Sequence, residues 1–573
     1  MRAASSRAAR WAAVVLAASL AALTGCASVP TTGPVTQVSA QPGRLNTGVE
    51  IAPAPPAANA TPSEVVEGFL HAMASWQPNY AVARTFLTPA ASGAWRPDAG
   101  VRVYAEGNPV TANDTGARLS APIVGTLDPT GAYRQSSSQL EHDFGLVRDA
   151  GGQWRIANPP EGLIISEYLF TSAFTRTSVY FFAPGGGWLV PDPRYFPRGA
   201  QAIEGASRAV TSGPTAWLAP AIEPVQPWAA FDSVTVDDVG VARVWLRRGA
   251  SDLPAPQREA MAAQYVWTLR QFDNVTGVEL GWVGESPWTI GTYGITVPMM
   301  AFAEADPHAR QTSRQLFGVV EGRIVRVVDG PQGLEHLVVA AGVEGVAWAA
   351  VRQDALVAAA VGTDRTTLVL APLVGASSEV AGSGVGLRRP QWSRQGEVWV
   401  PDERGQVWVL AASRTWQAVA VGGISEGRVT ALRVAPDGVR VALVVAKPSG
   451  GSVLGLARIV RTATGVTVEG WREVAVGGSS MAPQSVIDVG WRTPDTLLAL
   501  ASDERTTTVY AVVQDGSATT PIGPSNTAGL VELAVAPGVP PIVRSAEGDV
   551  SRYNADFRWT SQRMGASSVF YPG

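Results

Sequence analysis

The sequence predicts a multidomain exported protein in which two α+β domains precede an all-β propeller of roughly six blades. Three observations predict it. The N-terminus runs from basic to apolar to small residues and ends at the only cysteine, Cys26. Helix-period apolar stripes then alternate with strand-period stretches from about residue 61 to residue 300. From about residue 312 an apolar strand, a polar turn and a second apolar strand recur. Aligned strand ends Trp348, Trp392, Val434, Trp491 and Val535 lie 44, 42, 57 and 44 residues apart. Several short strands per period of about 40–45 residues mark propeller blades.

Composition sets the outer bounds. Hydrophobic residues make up 46% and charged ones 16%, enough apolar material for several cores. A net charge of −4 with no basic stripe argues against a nucleic-acid partner. One cysteine excludes an internal disulfide and a thiolate metal cluster.

The first element is "MRAASSRAARWAAVVLAASLAALTGC". Arg2, Arg7 and Arg10 form a basic n-region, and the apolar run that follows is shorter than the roughly 20 residues a bilayer span needs. Residues 1–25 therefore read as a signal peptide. Leu23-Thr24-Gly25-Cys26 resembles the lipobox of bacterial lipoproteins. That resemblance implies that Cys26 becomes the first mature residue, bearing an S-diacylglyceryl group and an N-acyl (palmitate-like) chain. Two or more chains hold a protein stably at a membrane, whereas one holds it marginally. Residues 26–60, rich in Pro, Ala, Gly and Thr, form the lipidated N-terminus and a linker. No later stretch is long enough to span a bilayer, so the rest is expected on the extracytoplasmic side of the cell membrane.

Residues 61–168 form the first α+β domain. Thr61, Pro62 and Glu64 have the spacing of a capping box with proline at the first helical position. Val65, Val66, Phe69, Leu70 and Met73 make one apolar stripe, and "YAVARTFLTPAA" offers a second helical piece. "GVRVYAE", "ARLSAPIVGTL" and "EHDFGLVRDAGGQWRIANPP" follow as strands of a curved antiparallel sheet, the last turning at Gly151-Gly152. The "AVARTFLTPAASGAW" stretch resembles NTF2-like and cystatin-like domains.

Residues 169–305 form the second. "SVYFFAP" and "GWLVPDPRYFP" are strands joined at Gly185–Gly187, and a helix ends at Gly213-Pro214. A hairpin turns near Asp238-Val239-Gly240, and a helix with the stripe Met261, Tyr265, Leu269 and Phe272 leads to the strand "VTGVELGWVGES". This order resembles a GerMN domain, which brings no catalytic residues with it.

Residues 306–573 hold the repeats. The long 57-residue interval contains "KPSGGSVLGLARIVRTATG", expected as an elongated hairpin. "FGVVEGRIVRVVDG" before the first repeat and "GDVSRYNADFRWT" after the last supply strands to close the ring.

Candidate chemistry is sparse. "GISEG" at 423–427 is a formal G-x-S-x-G around Ser425, but a hydrolase of that order needs a histidine after the serine. The last histidine is His336. His71, His142, His308 and His336 are scattered, so no metal set is expected. Glu141, His142 and Asp143 alternate faces of one strand, and Asp237-Asp238 read as turn residues. Trp392, Trp399 and Trp408 are expected to pack within a blade, the alternative being a surface aromatic platform for protein or glycan contact. No catalytic, cofactor-binding or metal residues are assigned.

Signal, lipobox, spacer, α+β domain, GerMN-like domain and propeller, in that order, resemble the lipoprotein LpqB family of high-GC Gram-positive bacteria. The resemblance implies a non-enzymatic, membrane-anchored lipoprotein that contacts the extracellular domain of a sensor histidine kinase, MtrB-like, and so modulates two-component signalling linked to cell-wall homeostasis and division. The alternative is an envelope glycan-acting enzyme, or a glycan-binding scaffold, working through the propeller.

Overall fold

Thr61 starts the first helix in the way its sequence dictates. Its hydroxyl accepts from the Glu64 amide, and the Glu64 carboxylate accepts from the Thr61 amide at 2.8 Å, closing the capping box around Pro62–Ala74. The computed structural model describes residues 53–573, apart from 108, 114–115, 225–227, 250–252, 309–312, 331–332, 464, 478–482 and 528. The signal peptide and Cys26 lie outside the described residues. No helix among them is long and apolar enough to cross a membrane.

Val65, Val66, Phe69, Leu70 and Met73 are all buried on one helix face. Phe69 is the hub, with ring centroids 5.4 Å from Trp95 and 6.4 Å from both Phe86 and Phe144. The second helical piece departs from expectation. It divides into a turn at Pro78–Tyr80 and helices Ala81–Thr85 and Pro89–Ala94. Pro89 keeps Thr88 extended, and the Thr88 hydroxyl caps the new helix by accepting from the Ala91 amide. The sheet departs too, because it is mixed. Val101–Tyr104 pairs antiparallel with Gly116–Leu127 on one side and parallel with Leu163–Ser166 on the other. A parallel neighbour needs a long crossover, and residues 105–162 supply it.

In the second domain, Phe174–Phe182 pairs along its whole length with Leu189–Pro197. Helices Ala200–Ser212 and Ala255–Leu269 pack against these strands and against the sheet of Ala229–Val236, Val241–Arg248 and Gly277–Trp282. Tyr265 and Leu269 are fully buried, whereas Phe272 falls past the helix end and is only partly buried. The turn after Ser212 is held from within: Arg194 donates to the Gly213 carbonyl at 2.6 Å and pairs with Asp192, which also takes the Thr215 amide.

The described residues from 317 onward form six four-stranded blades. The first strands of blades 2 to 6 are Val346–Val351, Gln391–Trp392, Arg428–Val434, Ser485–Thr493 and Leu530–Ala534. Blade 1 is built from Phe317–Val320, Arg323–Gly330 and Gly333–Val338 and takes its innermost strand, Ala566–Phe570, from the far end of the chain. The closing strand is "ASSVF", just beyond the segment nominated from sequence, which instead forms the outer half of blade 6. Phe570 stacks on Phe317 at 6.2 Å, joining first strand to last. The elongated hairpin is present as Ser452–Thr462 and Gly465–Val474 in blade 4.

Ring closure by Phe570 generates a prediction. Phe570→Ala should lower stability by about 3–5 kcal/mol, the usual loss for a buried phenylalanine. Urea denaturation followed by far-UV circular dichroism checks it through the midpoint of the β-rich transition.

Candidate functional site at the docked propeller

Antiparallel strands alternate direction, so the loops joining first to second strands all lie on one face of the ring. Those joining second to third strands lie on the opposite face. The second domain sits on the former. Trp188 donates through Nε1 to the Asp437 carbonyl at 2.8 Å, in the first such loop of blade 4. Arg176 reaches blade 5, with Nη1 2.6 Å from Asp495 Oδ2 and Nε 3.3 Å from Asp515 Oδ2. The Tyr195 hydroxyl lies 2.5 Å from Ser517 Oγ. Arg394 of blade 3 spreads over the Trp188 ring at 4.5 Å and donates to the carbonyls of Asp306, Pro307 and His308.

The elongated hairpin makes the grip two-sided. Trp217 donates to the Gly470 carbonyl at 2.6 Å, Arg458 donates back to the Trp217 carbonyl at 2.7 Å, and Arg472 covers the Trp217 ring at 4.1 Å. Burial of Arg472 lowers its pKa to about 10. The first domain touches the same blades: Gln135 accepts from the Ala475 amide at 3.0 Å. Val439 of the propeller is itself buried in the second domain's core.

A charge cluster occupies the ring axis. Arg389 Nη1 lies 3.0 Å from both Asp488 Oδ2 and Glu532 Oε1. Arg433 holds the other oxygen of Asp488 at 2.8 Å, and Arg544 holds the other oxygen of Glu532 at 2.7 Å. The same carboxylates take the Leu533 and Val569 amides, and Ser568 donates to Glu532 at 2.6 Å. Blades 1, 4, 5 and 6 and the approach to blade 3 thereby share one hydrogen-bonded knot. Sequence reasoning missed it, although a signal exists. Arg389, Asp488 and Glu532 each stand three residues before an aligned strand end, where apolar strands have no packing reason for a charge.

The residues singled out from sequence are not brought together. Ser425 is exposed in the loop between Trp416–Val421 and Arg428–Val434. His71 and His336 are exposed, and His308 pairs with Asp306 at 2.8 Å. His142 donates to the Asn158 carbonyl at 2.9 Å, and burial lowers its pKa. Asp237 is a turn residue that accepts from the Val239 and Val241 amides and pairs with Arg243. Trp392 and Trp399 are buried in blade packing, while Trp408 is half-buried and stacked on Trp416 at 5.5 Å.

The Arg176 clamp generates a pH prediction. Burial raises the Asp495 pKa, but Arg176 outweighs it and holds the carboxyl down at about 2 against an ordinary 3.8. A depressed carboxylate pKa stabilises the folded arrangement above the unfolded value and loses that contribution as pH falls through the folded one. Docking should therefore weaken between about pH 4 and pH 2, by on the order of 1–2 kcal/mol. Asp495→Asn should flatten that part of the profile, as read by limited proteolysis of the domain junction under acid.

Family comparisons agree with this architecture. Residues 55–171 match the model described as "Lipoprotein LpqB, N-terminal domain", and 316–572 match "Lipoprotein LpqB beta-propeller domain". Residues 178–286 match "Sporulation and spore germination". Lipoprotein LpqB of Cutibacterium acnes is 31% identical over 592 residues, covering 97% of this chain and 98% of the relative. Lipoprotein LpqB of Streptomyces avermitilis is 28% identical over 96% of each chain. TolB from Acinetobacter baumannii aligns with 54% of this chain and 84% of its own at 13% identity and a TM-score of 0.34, too low to carry an argument. With three domains in matching order and near full-length identity above 30%, the chain belongs to the lipoprotein LpqB family.

Proposed function

We propose that this lipoprotein is anchored through Cys26 on the extracytoplasmic side of the cell membrane and there binds the extracellular domain of an MtrB-like sensor histidine kinase, modulating it without catalysing a reaction. The observation that carries the reading is the one-sided docking of the propeller. The second domain occupies the face of the first-to-second loops across blades 3 to 5, leaving the opposite loops of those blades free of it. A tether of residues 26–60 would hold that rigid face close to the membrane and raise its effective concentration toward another membrane protein.

The free face has a definite electrostatic character. Arg365 pairs with Glu403 at 3.4 Å, and Arg428 donates to the Glu403 carbonyl. Arg388 stands between them, its pKa lowered first by burial and then by Arg365 and Arg428. The guanidinium groups crowded around Glu403, on a face that also exposes Asp364 and Glu426, suit a partner surface that sets acidic groups against them.

Two outcomes test this reading. Cys26→Ser should abolish acylation, releasing the protein from the membrane fraction, as checked by mass spectrometry and fractionation. Separately, Arg388→Glu combined with Arg428→Glu should remove at least about tenfold of the affinity for the kinase ectodomain. Calorimetry with the purified ectodomain checks this, and an unchanged affinity would reject the assigned face.

A further inference from the structure

Segments of all three domains meet beside Asp515. Strand Tyr133–Gln135 of the first domain reaches the propeller where Gln135 accepts from the Ala475 amide at 3.0 Å. A Cβ on Gly516 would come within 2.6 Å of Gln135 Cδ, so the approach is close. Trp217 of the second domain lies under Arg472, whose Cζ is 4.1 Å from the ring centroid. Asp515 itself takes Arg176 on one oxygen and the Ser517 amide on the other.

Donors at this junction exceed the groups that accept from them. Beyond burial, the charges that act on Arg472 are, in falling order, Asp515, Arg440, Asp192 and Arg134. Asp515 is engaged by Arg176, Arg440 by Asp437, and Asp192 by Arg194 with the Thr215 amide and hydroxyl. The adjacent Glu473 pairs with Lys447. Among the described residues, neither Arg134 nor Arg472 makes an ion pair. Arg472 Nε and Arg176 Nη2 are both buried without a hydrogen-bond partner, and Asp515 is the strongest attraction on each arginine. Buried donors of this kind call for an acceptor from outside the chain. Water offers lone pairs but no charge. A carboxylate accepts in one plane, whereas Arg472 and Arg134 approach from different domains.

We propose that this three-domain junction binds a phosphate group, held between Arg472 of the propeller and Arg134 of the first domain. The indole of Trp217 supports one face of the Arg472 guanidinium and leaves its N–H edge for paired bonds to an oxyanion. Arg134 is exposed, so the site is open to solvent on the first domain's side and accepts a phosphate free or at the end of an ester. Occupancy adds a bridge from the first domain to the propeller beside the Gln135 contact. The inference rests on the docked junction and is independent of the kinase reading.

Isothermal titration calorimetry on the purified full chain in detergent tests the site, with inorganic phosphate and glycerol 3-phosphate as probes and ionic strength held constant with potassium chloride. Inorganic phosphate should bind. Equal binding of glycerol 3-phosphate marks a site that takes esters, and its exclusion marks free phosphate as the ligand; either supports the proposal. Hydrogen–deuterium exchange gives a second readout, in which phosphate should slow exchange around Ala475 and Gly516. Arg472→Met keeps an apolar stem on Trp217 but removes the guanidinium, and should weaken phosphate binding by at least about tenfold. Circular dichroism verifies its fold. Should that variant not fold, Arg134→Ala, at an exposed strand position, should weaken binding by at least about fivefold. Binding of phosphate in neither readout, or unchanged affinity in the folded variant, would overturn the proposal.

Discussion

One arginine does much to join the second domain to the propeller. Arg176 leaves the second domain and enters between Asp495 and Asp515 of the propeller, where Asp515 is almost fully buried. A charge left buried without its partner costs several kcal/mol, so the docked junction tolerates the loss of neither side of this pair. The surrounding contacts are consistent with that demand. Trp188 and Trp217 place their indole N–H groups on propeller carbonyls, and Arg394 and Arg472 cover their rings. Each tryptophan therefore contributes apolar area and one directional bond, a combination that fixes orientation as well as distance.

The axial knot plays the corresponding part inside the ring. A propeller's first strands crowd together at the centre, and apolar side chains alone would let neighbouring blades slide. Carboxylates shared between arginines and backbone amides of different blades remove that freedom. Replacing such a cluster by apolar residues is often tolerated energetically, so its value here lies in register more than in stability.

Much of the fold was legible because its signals are local. Thr61, Pro62 and Glu64 announce a helix start, Gly213-Pro214 announces an end, and strand ends from Trp348 to Val535 recur at blade spacing. The failures are equally physical. Leu163–Ser166 reads as any apolar strand, and nothing local says that its partner runs parallel. "ASSVF" carries no mark of pairing with a strand some 250 residues earlier, as contacts of such separation leave no periodicity. Docking residues such as Arg176 look like ordinary strand-edge charges until the partner surface is in place. The axial charges left a faint trace, a repeated offset of three from the strand end, visible only when the repeats are stacked.

Because the second domain covers one face, the account stands on what the other face does. Hydrogen–deuterium exchange of the full chain, with and without the sensor kinase ectodomain, tests this most directly. The account predicts slowed exchange in the loops at 363–366, 402–405 and 424–428, with none added at 394–396 or 435–438. Protection confined to the already docked loops, or no protection anywhere, would contradict it.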